Sequence, residues 1–212
     1  MSWATRAAEN LLPLSKENDN LKVALKEWLY TGEMHDLEEA EEFCELCNHP
    51  NIRYQFLIEN SYSLNALWIG SECINKFQIL AIDQSGQVLN ESQTKEKVAK
   101  DRRKLITDAK EKSMINSLIA LSVADDEFKI ESFIEYYKKR GSFTPKQLST
   151  LIWRLDKHDI EYKKYHFKTT IKRKKEKEQL ENFAEWQINK IWKCLSSSQK
   201  EYCKKNSLFD PD

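Results

Sequence analysis

The chain has 212 residues, 32% of them charged and 40% hydrophobic, with only four glycines and four prolines. That balance predicts long helices with few tight turns, and a core sufficient for one ordinary domain or a small module on a helical body. The longest apolar run, Leu118-Ile119-Ala120-Leu121, is far too short to span a bilayer, and Met1 to Glu9 lacks the basic-then-apolar layout of a secretory signal. No membrane association is expected. Five cysteines, an odd number without a signal sequence, point to reduced cytoplasmic thiols and metal ligation rather than disulfides. The net charge is zero, but Met1 to Cys47 holds four Lys/Arg against eleven Asp/Glu, while Lys138 to Lys177 holds fourteen against four. Such a split means either two ends that attract each other or a basic surface for an anionic partner.

In chain order, residues 1–43 read as acidic helices. Asp19 is placed to cap a segment whose apolar stripe is Leu21, Leu25, Trp28 and Leu29, and Thr31-Gly32 should stop it. The acidic run from Asp36 to Glu42 is expected to form another short helix. Residues 44–90 form the β-patterned part. Ile52, Tyr54, Phe56 and Ile58 alternate with Arg53, Gln55 and Leu57, and Ala66 to Ile69 returns as the partner strand. Gln78 to Asp83 and Gln87 to Leu89, joined through Asp83-Gln84-Ser85-Gly86, read as a second hairpin.

Residues 91–212 read as helical with a basic surface. Lys95 to Lys112 is highly charged, Met114 to Val123 is apolar, and Phe128 to Arg140 ends at Gly141. Asp125-Asp126-Glu127 stands where an N-cap is wanted ahead of Phe128. Thr144-Pro145-Lys146-Gln147 carries a full helix-start signature: a Thr N-cap, Pro at the first helical position and Gln closing a capping box. Leu148, Leu151, Ile152 and Leu155 then form an apolar stripe. A last long helix should carry Leu180, Phe183, Ala184, Ile188, Ile191, Trp192 and Leu195 on one face, with Trp186 opposite. The expected architecture is mainly α, a helical body with a small treble-clef or zinc-ribbon-like β-hairpin module.

The densest chemistry lies in Cys44-Glu45-Leu46-Cys47-Asn48 and Gly70-Ser71-Glu72-Cys73. A zinc knuckle needs two thiolates two residues apart so that one turn aims both sulfurs at one ion. The residue after the second cysteine takes a left-handed conformation, which Asn48 tolerates. Cys73 should sit in the first turn of a short helix, where the helix dipole favours a thiolate. Structural zinc takes four ligands and three are evident. His49 is the nearest fourth candidate, and Cys194, Cys203, His35, His158 or His166 would have to reach it from elsewhere. The bland alternative is three core cysteines with no metal.

Cys44-Glu45-Leu46-Cys47, Ile52-Arg53-Tyr54-Gln55-Phe56 and Gly70-Ser71-Glu72-Cys73-Ile74 together resemble a group of uncharacterised bacterial and phage proteins with a CELC, RYxF, GSxC pattern. The resemblance covers residues 44–77, and the Phe143-Thr144-Pro145-Lys146-Gln147 helix start is similar to theirs. It implies a bacterial or mobile-element origin and a zinc module, but no activity. It also implies a histidine where this chain has Gln55, so that ligand is absent here.

The basic half suggests a nucleic-acid surface. Phe128 to Arg140, the break at Gly141 and the helix from Pro145 have a helix–turn–helix outline. Lys146, Trp153, Arg154 and Lys157 lie opposite the leucine stripe. Lys163, Lys164, Lys168 and the run Lys172, Arg173, Lys174 and Lys175 follow, interleaved with Tyr162, Tyr165 and Phe167. Phosphate contacts plus base stacking, to DNA or RNA, need such residues. A solvated helical face, or docking onto the acidic end, is the simpler use of the same charges. No Gly-rich phosphate loop, catalytic triad motif or His-x-x-x-His site occurs. Binding is therefore expected over catalysis, with regulation or inhibition of a protein complex through the acidic helices and exposed aromatics as the alternative.

Overall fold

The computed structural model describes residues 2–211. It divides into two units, Met1–Ala109 and Lys110–Asp212. The fold is mainly α with one small four-stranded sheet.

In the first unit, α1 (Trp3–Leu11) opens on a Ser2 hydroxyl that accepts the Thr5 N–H. The next helix is short: α2 (Leu21–Ala24) is capped by Asn20, whose side chain accepts the Lys22 and Val23 N–H groups. Asp19 is not the cap. The expected helix through Leu29 ends early, because Trp28 begins β1 (Trp28–Asp36). Trp28 and Tyr30 are aromatic residues suited to a pleated, buried surface. Both are fully buried, and each finds a partner for its polar tip: Trp28 Nε1 donates to Ser15 Oγ at 2.8 Å and Tyr30 OH to Asp101 at 3.0 Å.

β1 has neighbours on both sides. It pairs antiparallel with β2 (Tyr54–Asn60) and parallel with β4 (Leu80–Ala81), while β3 (Ala66–Ile69) lies antiparallel on the far side of β2. Gly32, expected to stop a helix, instead sits in a bulge between Tyr30 and Met34 with φ +94°. That backbone conformation strains any residue with a Cβ, and Lys97 Nζ, 3.0 Å from where one would be, would have to give way.

The acidic segment Asp36 to Glu42 is likewise not a helix. Asp36 ends β1 and is held by Arg53 at 2.6 and 2.9 Å, and Glu42 bridges Ile52. Five carboxylates in seven residues repel one another on a helix, whereas the strand edge supplies a cation and a backbone ladder. Besides α1 and α2, residues 1–43 thus contribute a strand to the sheet and side chains to the core that holds the cysteine segment.

The β2/β3 hairpin matches expectation, with Phe56 opposite Ile69 and Ile58 opposite Leu67. The second hairpin is reduced to one bridge, Ile82 to Val88, closing a turn in which Asp83 accepts the Ser85 and Gln87 N–H groups.

α4 (Glu91–Ala124) joins the two expected helical stretches into one and contains the boundary between the units. Asn90 and Gln93 cap it reciprocally, a signal present in the sequence and not read there. In the second unit, α5 (Glu131–Arg140) begins three residues later than expected and ends on Gly141 in the left-handed conformation. Asp125 does not cap it. α6 (Pro145–Lys157) starts on the Thr144–Gln147 capping box, and Leu148, Leu151, Ile152 and Leu155 are all fully buried.

The expected last helix is three: α7 (Lys174–Glu181), α8 (Glu185–Ile191) and α9 (Ser197–Lys205). Gln187 accepts the Ala184 N–H at the start of α8, and Ser196 and Gln199 form a capping box that starts α9. Leu180, Ile188, Ile191 and Leu195 are buried as the stripe required, although the helix beneath them is broken. Trp186 is 59% exposed, as its place opposite that stripe implies.

Candidate metal centre and basic groove

The knuckle turn runs from Cys44 to His49. Asn48 N–H donates to the Cys44 carbonyl at 2.8 Å, Cys44 N–H to the His49 carbonyl at 2.9 Å, and Asn48 has φ +56°. The Cys-Glu-Leu-Cys segment is fastened to β3 by both faces of Glu45: its N–H donates to the Trp68 carbonyl and its carboxylate accepts the Trp68 N–H. From the other side α1 braces it. Arg6 Nε donates to the Cys47 carbonyl at 2.6 Å and Asn10 Nδ2 to the Leu46 carbonyl at 3.1 Å. No local pattern in the sequence links α1 to a turn some 40 residues away, so this brace was not foreseen.

Cys73 stands in the first turn of α3 (Ser71–Lys76). Its sulfur lies 3.3 Å from that of Cys47 and 3.6 Å from that of Cys44, and all three ligand atoms fall within 4.8 Å of one another. A tetrahedral zinc with Zn–S bonds of about 2.3 Å places its sulfurs roughly 3.8 Å apart. The three side chains are therefore already near the positions one ion requires. Hydrogen bonding with Cys73 holds Cys44 well below the usual thiol range against the opposing effect of burial, with the Gly70 N–H at 3.5 Å helping. The same contacts and its own burial push Cys73 upward. A buried group of thiols in which one is readily ionised is suited to hold a metal ion.

Among the described residues no fourth His, Cys, Asp or Glu joins this group. His49 is exposed and is not part of it. The more distant candidates are otherwise engaged. His35 stacks on Trp68, His158 meets Asp125 at 3.0 Å, and His166 meets Ser113 at 2.9 Å. Cys194 and Cys203 lie in the second core, where burial pushes the Cys194 thiol up to about 12. Instead, the three cysteines line a cavity of about 560 Å³ whose wall includes Arg6, Arg53, Lys76 and Arg102, with Glu72 as its carboxylate.

In the second unit the expected nucleic-acid residues divide. Arg154 is not a free cation: Asp125 holds its guanidinium, and it lies 4.1 Å over Phe128. Asp125 serves this pair and meets His158 rather than capping a helix, because the Arg154 guanidinium is a charged donor. Lys157 lies over the Trp153 ring, and both are exposed with Lys146 on the outer face of α6. Lys174 pairs along α7 with Glu178 at 3.8 Å. Lys163, Lys164 and Lys175 are outside the groove described next.

Lys168, Lys172 and Arg173 do come together, on one side of a cavity of about 860 Å³. Phe143 N–H donates to the Lys168 carbonyl at 2.8 Å and Thr170 N–H to the Phe143 carbonyl at 3.1 Å, which ties the Lys168 segment to the turn before α6. Gln199 Nε2 donates to the Thr169 carbonyl at 2.8 Å and brings α9 into the wall. Arg140 and Lys193 complete the ring of cations, and Tyr165, 60% exposed, stands at the edge. The carboxylate in the wall is Glu176, 4.0 Å from Arg173 Nε and accepting the Arg173 N–H. Arg140 and Lys193 are more than twenty residues from Lys168 and carried no sequence signal.

Among the described residues no helix is long and apolar enough to cross a membrane. No family model matches the chain, and neither a curated protein nor a solved structure matches it.

Proposed function

We propose that the chain binds single-stranded nucleic acid in the groove of its second unit and holds zinc at Cys44, Cys47 and Cys73. The observation that carries the first part is the groove wall. Arg140, Lys168, Lys172, Arg173 and Lys193 face one cavity with Glu176 as its carboxylate, and Tyr165 is exposed at its edge. Cations that track a backbone beside an aromatic face that can stack on any base are the two components of sequence-tolerant single-strand binding. Zinc is favoured at the cysteines because three thiolates near tetrahedral spacing are soft ligands on a closed turn.

The test is fluorescence anisotropy at low salt with a single-stranded oligonucleotide of roughly 12 nucleotides and its duplex, a length within one stacking-platform site. The single strand should bind more tightly. Tyr165→Ala should weaken it about 5- to 150-fold, the equivalent of about 1–3 kcal/mol for one stacked base. Absence of binding at low salt, or a Tyr165→Ala variant equal to the parent, overturns this reading. The acidic Asp36–Glu42 segment is strand end and bends rather than a helix.

A further inference from the structure

The three cysteines are buried from most directions, yet all three contribute to the wall of one cavity in the first unit. Structural zinc sites close their fourth position with protein, whereas sites that exchange ligands keep three protein donors and one open position. Here no fourth protein donor joins the sulfurs among the described residues, and the cavity they line has His49 and Glu72 elsewhere in its wall. The cavity wall is cationic. Arg6, Arg53, Lys76 and Arg102 outnumber Glu72, and of these Arg53 is neutralised by Asp36. Lys76 lies 3.9 Å over the Trp3 ring with no carboxylate against it, and Arg102 is exposed with no ion pair among the described residues.

We infer that the metal's fourth position is open to this cavity and takes a small oxyanion, a phosphate or a carboxylate, one oxygen on the metal and the others toward Arg102 and Lys76. The inference rests on the metal reading above and is independent of the groove in the second unit. Guanidinium and ammonium groups in the wall of the cavity that the cysteines line match an anion's remaining charge. Trp3 and Phe77, packed edge-on at 4.7 Å, form an apolar part of the wall.

The experiment uses the full chain loaded with cobalt(II), whose sulfur-to-metal charge-transfer absorption reports ligation by the cysteines and whose ligand-field absorption reports the fourth ligand. Inorganic phosphate and acetate are titrated separately. The inference expects one of them to shift the ligand-field bands saturably at millimolar concentration or below while the charge-transfer bands persist, and the tighter of the two names the ligand class. Arg102→Gln and Lys76→Gln should each load cobalt normally and weaken that anion about tenfold, as loss of one charge-assisted contact requires. A cobalt-loaded protein whose spectrum neither anion alters, or variants that bind the anion as the parent does, overturns the inference and leaves the metal reading intact. Failure to load cobalt with thiolate absorption overturns both.

Discussion

The groove in the second unit makes a quantitative prediction about salt. Five cations face it, but Arg173 lies against buried Glu176, which leaves Arg140, Lys168, Lys172 and Lys193 to neutralise phosphates. For a single strand each neutralised phosphate contributes about −0.7 to the slope of log K against log salt, so four give about −2.8. Raising salt fourfold should then weaken binding about 50-fold. The triple variant Lys168→Gln/Lys172→Gln/Lys193→Gln should flatten the slope to about −0.7, a loss of only about threefold over the same range. Lys174→Gln/Lys175→Gln, although part of the same run in sequence, should leave the slope unchanged. Anisotropy titrations at four or five salt concentrations give each slope directly. A parent slope near zero, or a Lys174/Lys175 variant that flattens as much as the triple variant, would refute this assignment.

Three further outcomes follow from the geometry. Protein purified without added metal should carry close to one zinc per chain by elemental analysis, and Cys44→Ser/Cys47→Ser should carry none. Chelation should lower the melting temperature of the parent alone, since metal at a thousand times its dissociation constant contributes about 4 kcal/mol. Leu151→Ala, which truncates a fully buried side chain on α6, should cost about 2–5 kcal/mol by denaturant unfolding, and a loss under 1 kcal/mol would contradict the packing. Burial alone would raise Glu27, but hydrogen bonds from Asn60 and from the Lys16 and Glu17 N–H groups prevail and hold its carboxyl below the ordinary value. A group lowered in the folded state stabilises above its unfolded value of about 4.3 and loses that contribution as pH falls through the folded one. Stability should therefore fall on acidification in the parent more than in Glu27→Gln, and equal acid profiles would contradict it.

Much of this fold was legible where the determinants are local. The Thr144–Gln147 box and the stripe from Leu148 to Leu155 specify α6 without outside help, since capping and one apolar face decide a helix. Gly141 as a left-handed cap, Asn48 at φ +56°, the β2/β3 hairpin and Cys73 in the first turn of α3 were equally readable. The cysteine cluster was legible because two of its ligands share one turn.

What the sequence left open was decided by partners distant in the chain. Trp28 and Leu29 fit a helical stripe as well as a strand, and only β2 and β4 on either side make them a strand. The stripe from Leu180 to Leu195 marks a buried face correctly, yet a buried face does not require one unbroken helix, and caps at Ala184 and Ser196 divide it. The charge asymmetry of the chain was visible, but which cations remain available was not. Asp125 withdraws Arg154, Glu176 offsets Arg173, and Arg140 and Lys193 enter from other elements. Arg6, Lys76 and Arg102 join the cysteines in the wall of one cavity in the same way. Composition determines how much charge and apolar surface a chain carries. Only the tertiary structure decides which of it is buried, paired or left facing a cavity, because those outcomes depend on neighbours in space rather than in sequence.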